Sequence, residues 1–180
     1  MVEMSRRRET TMEPTLHHWA NHLAATALSK WLLDREWVIV VLQSTHIVML
    51  SVVFGCAVVI NLRVLGISAR GRSVSTLVRS LTRWMYGALL VLLITGSLQT
   101  IAEPMREFVA PAFWAKMTMV LIVFLLTAAF DRAVRRNHER WNDPSSRPRG
   151  AALFAIVSLV LWTAIIFCGR FIAYTWNFYV

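Results

Sequence analysis

Recognisable catalytic designs are missing from this sequence. It has no Gly-rich phosphate loop, no nucleophile elbow, no H-E-x-x-H motif and no paired carboxylates, so a self-contained enzyme is the reading least favoured. Charge is also scarce: charged residues make up 16% of 180 and hydrophobic residues 57%, too apolar for an ordinary soluble domain. There are only two cysteines, Cys56 and Cys168. Each falls inside a hydrophobic run without metal-ligand spacing, as a small packing residue would. Acids are outnumbered, leaving a net charge of +9, yet no aromatic-interleaved basic platform or nucleic-acid motif accompanies it. Nucleic acid is therefore not an expected partner. The basic residues lie between hydrophobic runs, where membrane topology wants them.

What is present is a set of long apolar runs. Residues 37–62, 84–101, 113–130 and 151–172 each approach the roughly 20 residues that a hydrocarbon core of about 30 Å requires. Backbone groups in that core must be satisfied within the segment, so helices follow. The fold expected is all-α: an integral membrane four-helix bundle over 37–174, preceded by an interfacial amphipathic helix over 15–36. Residues 1–14 read as a flexible tail and 175–180 as a C-terminal tail. The three arginines Arg6, Arg7 and Arg8 have no adjoining apolar stretch or small-residue cleavage site, so no signal peptide is expected.

In the amphipathic segment, Leu16, Trp19, Ala20, Leu23, Ala27 and Trp31 follow three-or-four spacing, with Thr15 as cap and His18, His22, Ala25 and Ser29 opposite. Such a helix lies in the headgroup layer. The loops after the first and third crossings carry Arg63, Arg70, Arg72, Arg79, Arg83 and Arg132, Arg135, Arg136, Arg140, Arg147, Arg149. The middle loop has Arg106 against Glu103 and Glu107. The positive-inside rule then makes the two basic loops cytoplasmic and both termini periplasmic, in a bacterial inner membrane. Trp31, Trp37, Trp84, Trp114 and Trp176 fall at the interfaces as an aromatic belt, whereas Trp162 is mid-span and must pack inside the bundle or cover something flat.

Polar groups inside the runs are the site candidates. His46 is nine residues past Trp37, about 13 Å deep, and Gln43 is one turn away on the same face. Gln99 and Glu103 end the second crossing, Lys116 begins the third and Arg170 ends the fourth. The inner half is nearly pure hydrocarbon. The pattern points to a pocket opening outward, in which Lys116 and Arg170 suit propionates, a quinone headgroup or another anion. The plainer readings stand beside this one. Lys116 and Arg170 can snorkel, and His46 can be a neutral interhelical hydrogen-bonding residue. Thr95-Gly96 and Ser51…Gly55 read as close packing. His18 and His22 have the i, i+4 spacing of a metal pair but lack a third ligand.

The stretch from Gln43 to Gly66, the Trp84…Thr95-Gly96 helix, Phe113-x-x-Lys116 and the terminal Gly169-Arg170-Phe171-Ile172-Ala173-Tyr174 resemble an uncharacterised bacterial family of small four-helix inner-membrane proteins. More distantly they are similar to CopD-like copper-resistance domains and b-type membrane cytochromes, whose intramembrane histidines hold haem. The resemblance implies His46 as the principal haem contact, and Met119, about 9 Å into the third helix by its rise, is a geometrically possible second ligand. The leading expectation is an accessory subunit that anchors or docks a periplasmic electron-transfer partner and holds b-type haem or quinone. The site would comprise His46, Gln43, Met119, Lys116, Arg170 and Trp162. The alternatives are a cofactor-free structural or assembly subunit of a membrane complex, and a CopD-like copper or small-solute permease.

Overall fold

A computed structural model describes residues 17–68, 71, 73–108, 110–143, 148 and 150–175, with side chains described as far as Phe171. The tail expected over 1–14, the Thr15 cap, Leu16, Trp176 and the residues after Thr175 lie outside the described residues, as do Arg70, Arg72, Arg147 and Arg149. The described elements are α1 (17–24), α2 (Ala27–Leu33), α3 (Glu36–Val64), α4 (Val74–Ala102), α5 (Pro104–Phe108), α6 (Pro111–Arg136), α7 (His138–Asn142) and α8 (Ala151–Thr175), with no strand among the described residues. Helices α3, α4, α6 and α8 are each long and apolar enough to cross a membrane, so the chain is an all-α multi-pass membrane protein.

Helices α3 and α4 have 29 residues apiece. At 1.5 Å per residue each is about 44 Å long, well beyond a core of about 30 Å. This explains why α4 begins ten residues before the apolar run at Trp84: its first turns, carrying Arg79 and Arg83, stay helical after leaving the hydrocarbon. The amphipathic segment is likewise not one helix. It turns at Ala25 and Thr26, where the Thr26 side chain accepts from Ser29 N and starts α2 afresh. Ser29, expected on the polar face, is fully buried and donates to Ala102 O at 3.4 Å, while Trp19 and Trp31 are exposed. That bond satisfies one of the carbonyls left open at the end of α4.

The other ends are equally specified. Gly66 closes α3 at φ 78°. Its N–H bonds to Arg63 O at 3.1 Å and that of Ile67 to Leu62 O at 3.0 Å, the paired bonds of a Schellman motif that needs a left-handed residue. Ser73 caps α4, its side chain accepting from Thr76 N at 3.2 Å, and Asn142 at the end of α7 accepts from Ser75 N at 3.1 Å. Pro111 starts α6, where its missing N–H costs nothing.

In the bundle α3 lies against α4 and α8, and α6 against α8; α4 and α6 meet only sparsely. The central core is Val53, Ala57, Met85, Ala88, Val123, Trp162 and Ile165. A second cluster sits at the α7 end, where Phe130 stacks on Phe154 at 4.6 Å and meets Trp141 of α7 edge-on at 5.1 Å. The half of the bundle toward α7 is less purely apolar than its composition implies. Buried Asn61 donates to Ser158 Oγ at 3.1 Å between α3 and α8, and Asp131 is buried near the end of α6.

Candidate functional site

The α5 end of the bundle gathers the polar groups, starting from a single interhelical bond. His46 Nδ1 is 2.8 Å from Thr95 Oγ1, and Thr95 Oγ1 donates to Val91 O, also at 2.8 Å. A hydroxyl has one proton. With that proton given to Val91, the oxygen accepts from Nδ1–H and Nε2 keeps its lone pair; with it given to Nδ1, the imidazole accepts instead. Nε2 has no hydrogen-bond partner among the described residues. The helices come this close because residue 96 is glycine: a Cβ there would stand 3.3 Å from His46 Cε1.

A test of that contact follows. Gly96→Ala gains up to about 1 kcal/mol of helix propensity but needs the imidazole to shift by a few tenths of an ångström, and the net effect on stability is expected to be near zero. Gly96→Val cannot be relieved so simply, and is expected to break the His46–Thr95 bond and destabilise by about 1–3 kcal/mol. Denaturant unfolding in detergent measures both. A silent valine variant means that α3 and α4 are not in contact at this level.

From Thr95 the polar groups climb α4 at intervals of one turn. Gln99 Nε2 is buried and has no hydrogen-bond partner, and Gln43, half-buried, occupies the matching turn of α3 beside His46. Above them Glu103 pairs with Arg106 of α5 at 2.6 Å. Arg106 also stands 3.9 Å from Glu107 Oε1, and Lys116 of α6 stands 3.7 Å from Glu107 Oε2. These last two separations suit charge attraction but not hydrogen bonding, and Glu107 Oε2 is buried without a donor. Lys116 also lies over the Phe113 ring at 5.3 Å, so that α4, α5 and α6 each contribute a charged group to this end.

The other expected site residues lie elsewhere. Trp162 is 2% exposed and packs in the central core, its Nε1 without a partner, so it fills the bundle interior. Met119 is packed against the same core and Cys56 is half-buried beside it. Arg170 is exposed on α8 and engaged in contacts of its own. His18 and His22 are exposed with ring centroids 4.6 Å apart, and no cluster of three or more His, Cys, Asp or Glu side chains that could hold a metal occurs among the described residues. Ser51 and Gly55 are both exposed, and nothing stands within 4 Å of a Cβ built on Gly55, so they make no close helix contact.

Sequence reasoning missed Glu107, which reads as a loop charge balancing Arg106. The available signal was Pro104, two residues past the end of α4: proline is favoured at the first position of a helix, and α5 turns Glu107 inward. Residues 36–175 match the model of a family of unknown function, DUF6644, and the chain belongs to that family. No curated protein and no solved structure matches it.

Proposed function

We propose that this member of the DUF6644 family is an accessory membrane subunit that binds a quinone headgroup at its α5 end and docks an electron-transfer partner there. The observation that carries the reading is Gln99 Nε2, a buried donor without a partner one turn above the oriented His46 imidazole. A buried orphan donor costs about 1–3 kcal/mol, a penalty a ligand carbonyl would remove. The same end of the bundle carries the kinds of group a quinone and its quinol require: donors in Gln99 and Lys116, acceptors in the His46 imidazole and Glu107 Oε2. The bound group would supply the redox chemistry, and the protein's own residues would hold and orient it.

The donor set suits a flat headgroup better than haem. A macrocycle held between His46 and Met119 would have to displace part of the close-packed core that Met119 joins. The arginines Arg63, Arg79, Arg83, Arg132, Arg135, Arg136 and Arg140 lie toward the α7 end, which supports placing that end in the cytoplasm of a bacterial cell and the α5 end in the periplasm.

Purification in mild detergent, followed by solvent extraction and chromatography, measures quinone per chain. Near-stoichiometric quinone is expected from the wild type, with most of it lost in His46→Ala and in Gln99→Leu. Quinone at no more than its bulk-lipid proportion, together with a featureless visible spectrum, would assign the chain to the cofactor-free structural subunits. A sharp reduced-minus-oxidised haem spectrum would replace the quinone with haem.

A further inference from the structure

At the opposite end of the molecule, where α4 and α6 part, an open cleft of about 430 Å³ is lined by Arg79, Arg83, Tyr86 and Arg135. The first three stand at i, i+4 and i+7 and so share one face of α4. Arg135 reaches in from α6, fixed by two bonds from its Nε to the Asp131 carboxylate, both 2.9 Å. That carboxylate is the counter-charge beside it, while Arg79 and Arg83 form no ion pair among the described residues. Tyr86 is held by an edge-on contact with Phe124 at 6.3 Å, and its hydroxyl has no hydrogen-bond partner among the described residues.

The surroundings separate a lipid from a soluble anion. Trp84, 68% exposed beside Arg83, marks the level of the headgroup layer. From Tyr86 the same face of α4 continues through exposed Leu90 and Leu93, while Phe124, exposed on α6, lies two turns from Asp131 on the same side. An apolar track therefore leads from the guanidinium cleft toward the bilayer centre along the loosest seam of the bundle. We propose that this cleft binds the headgroup of an anionic phospholipid. Arg79, Arg83 and Arg135 hold the phosphodiester, Tyr86 donates to it, and the acyl chains lie along the α4–α6 seam. Basic pockets between membrane helices are suited to such headgroups, and guanidinium forks match phosphate oxygens.

The test uses the full chain in mild detergent, with binding followed by native mass spectrometry and thermal unfolding. Phosphatidylglycerol is compared with phosphatidylcholine of the same acyl chains, and with inorganic phosphate. Wild type is expected to bind and be stabilised by phosphatidylglycerol selectively. Arg79→Gln with Arg83→Gln is expected to weaken that binding by about tenfold or more, and Tyr86→Phe to weaken it less. Both arginines are exposed and unpaired, so the variant should fold. Arg136→Gln, set against Arg83→Gln alone, removes an equal charge outside the cleft and should leave binding unchanged. Equal stabilisation by phosphatidylcholine, an equal loss in Arg136→Gln, or full stabilisation by inorganic phosphate alone would each overturn the assignment.

Discussion

Trp162→Ala is expected to lower the stability of the detergent-solubilised protein by about 3–5 kcal/mol, the cost of removing a large aromatic side chain from a closed core. Trp162 is 2% exposed and packs among Val53, Met85, Val123 and Ile165, themselves buried, so the space it vacates cannot be filled from outside. In a bilayer, packing does much of the work that the hydrophobic effect does in water, so the loss should persist in a lipid environment. Trp162→Phe separates two explanations. The indole Nε1 has no acceptor, so phenylalanine forfeits no hydrogen bond and relieves a buried orphan donor. Its cost should be confined to the lost volume and fall well below that of alanine. A phenylalanine variant as damaged as the alanine one would show that Nε1 has a partner, and with it a role beyond packing.

Glu107→Ala should have the second large effect. The carboxylate is 8% exposed and stands between Arg106 and Lys116, whose side chains are themselves only 24% and 20% exposed. Deleting it leaves two partly buried cations facing each other without the intervening negative charge. Breaking a buried pair by removing one partner costs about 3–5 kcal/mol. Because Lys116 and Arg106 retain some access to water and Glu103 remains, a loss of about 2–3 kcal/mol is expected in urea or thermal unfolding. Glu107→Gln keeps the shape and loses the charge, and should be intermediate. If Glu107→Ala unfolds as the wild type does, the two cations are solvated well enough that this group is no more than an exposed ion cluster.

These two residues mark what the sequence reveals and what it hides. The four crossings are legible because the bilayer demands uninterrupted apolar runs, a pattern needing no partner to be read. His46 is legible as a candidate for the same reason: an imidazole about 13 Å from the boundary is anomalous by position alone. Which face of a helix meets a neighbour is another matter. All-round apolar helices carry little rotational information, so the inward Trp162 and the outward Ser51 and Gly55 could not be told apart by spacing. Asn61 and Ser158 are not legible as a pair, since they are distant in sequence and each passes as one polar residue in a long run. The break at Ala25 and Thr26 was hidden because the three-or-four periodicity continues across it, while Thr26 caps a new helix and turns Ser29 inward.

That inward serine bears on how the molecule sits in its membrane. Ser29 ties α2 to the Ala102 carbonyl at the end of α4, next to Glu103 and three residues, less than one turn, from Gln99. The depth of the N-terminal segment is thereby geared to the height of the transmembrane bundle. The N-terminal helices are thus tied to the same turn of α4 that carries Gln99.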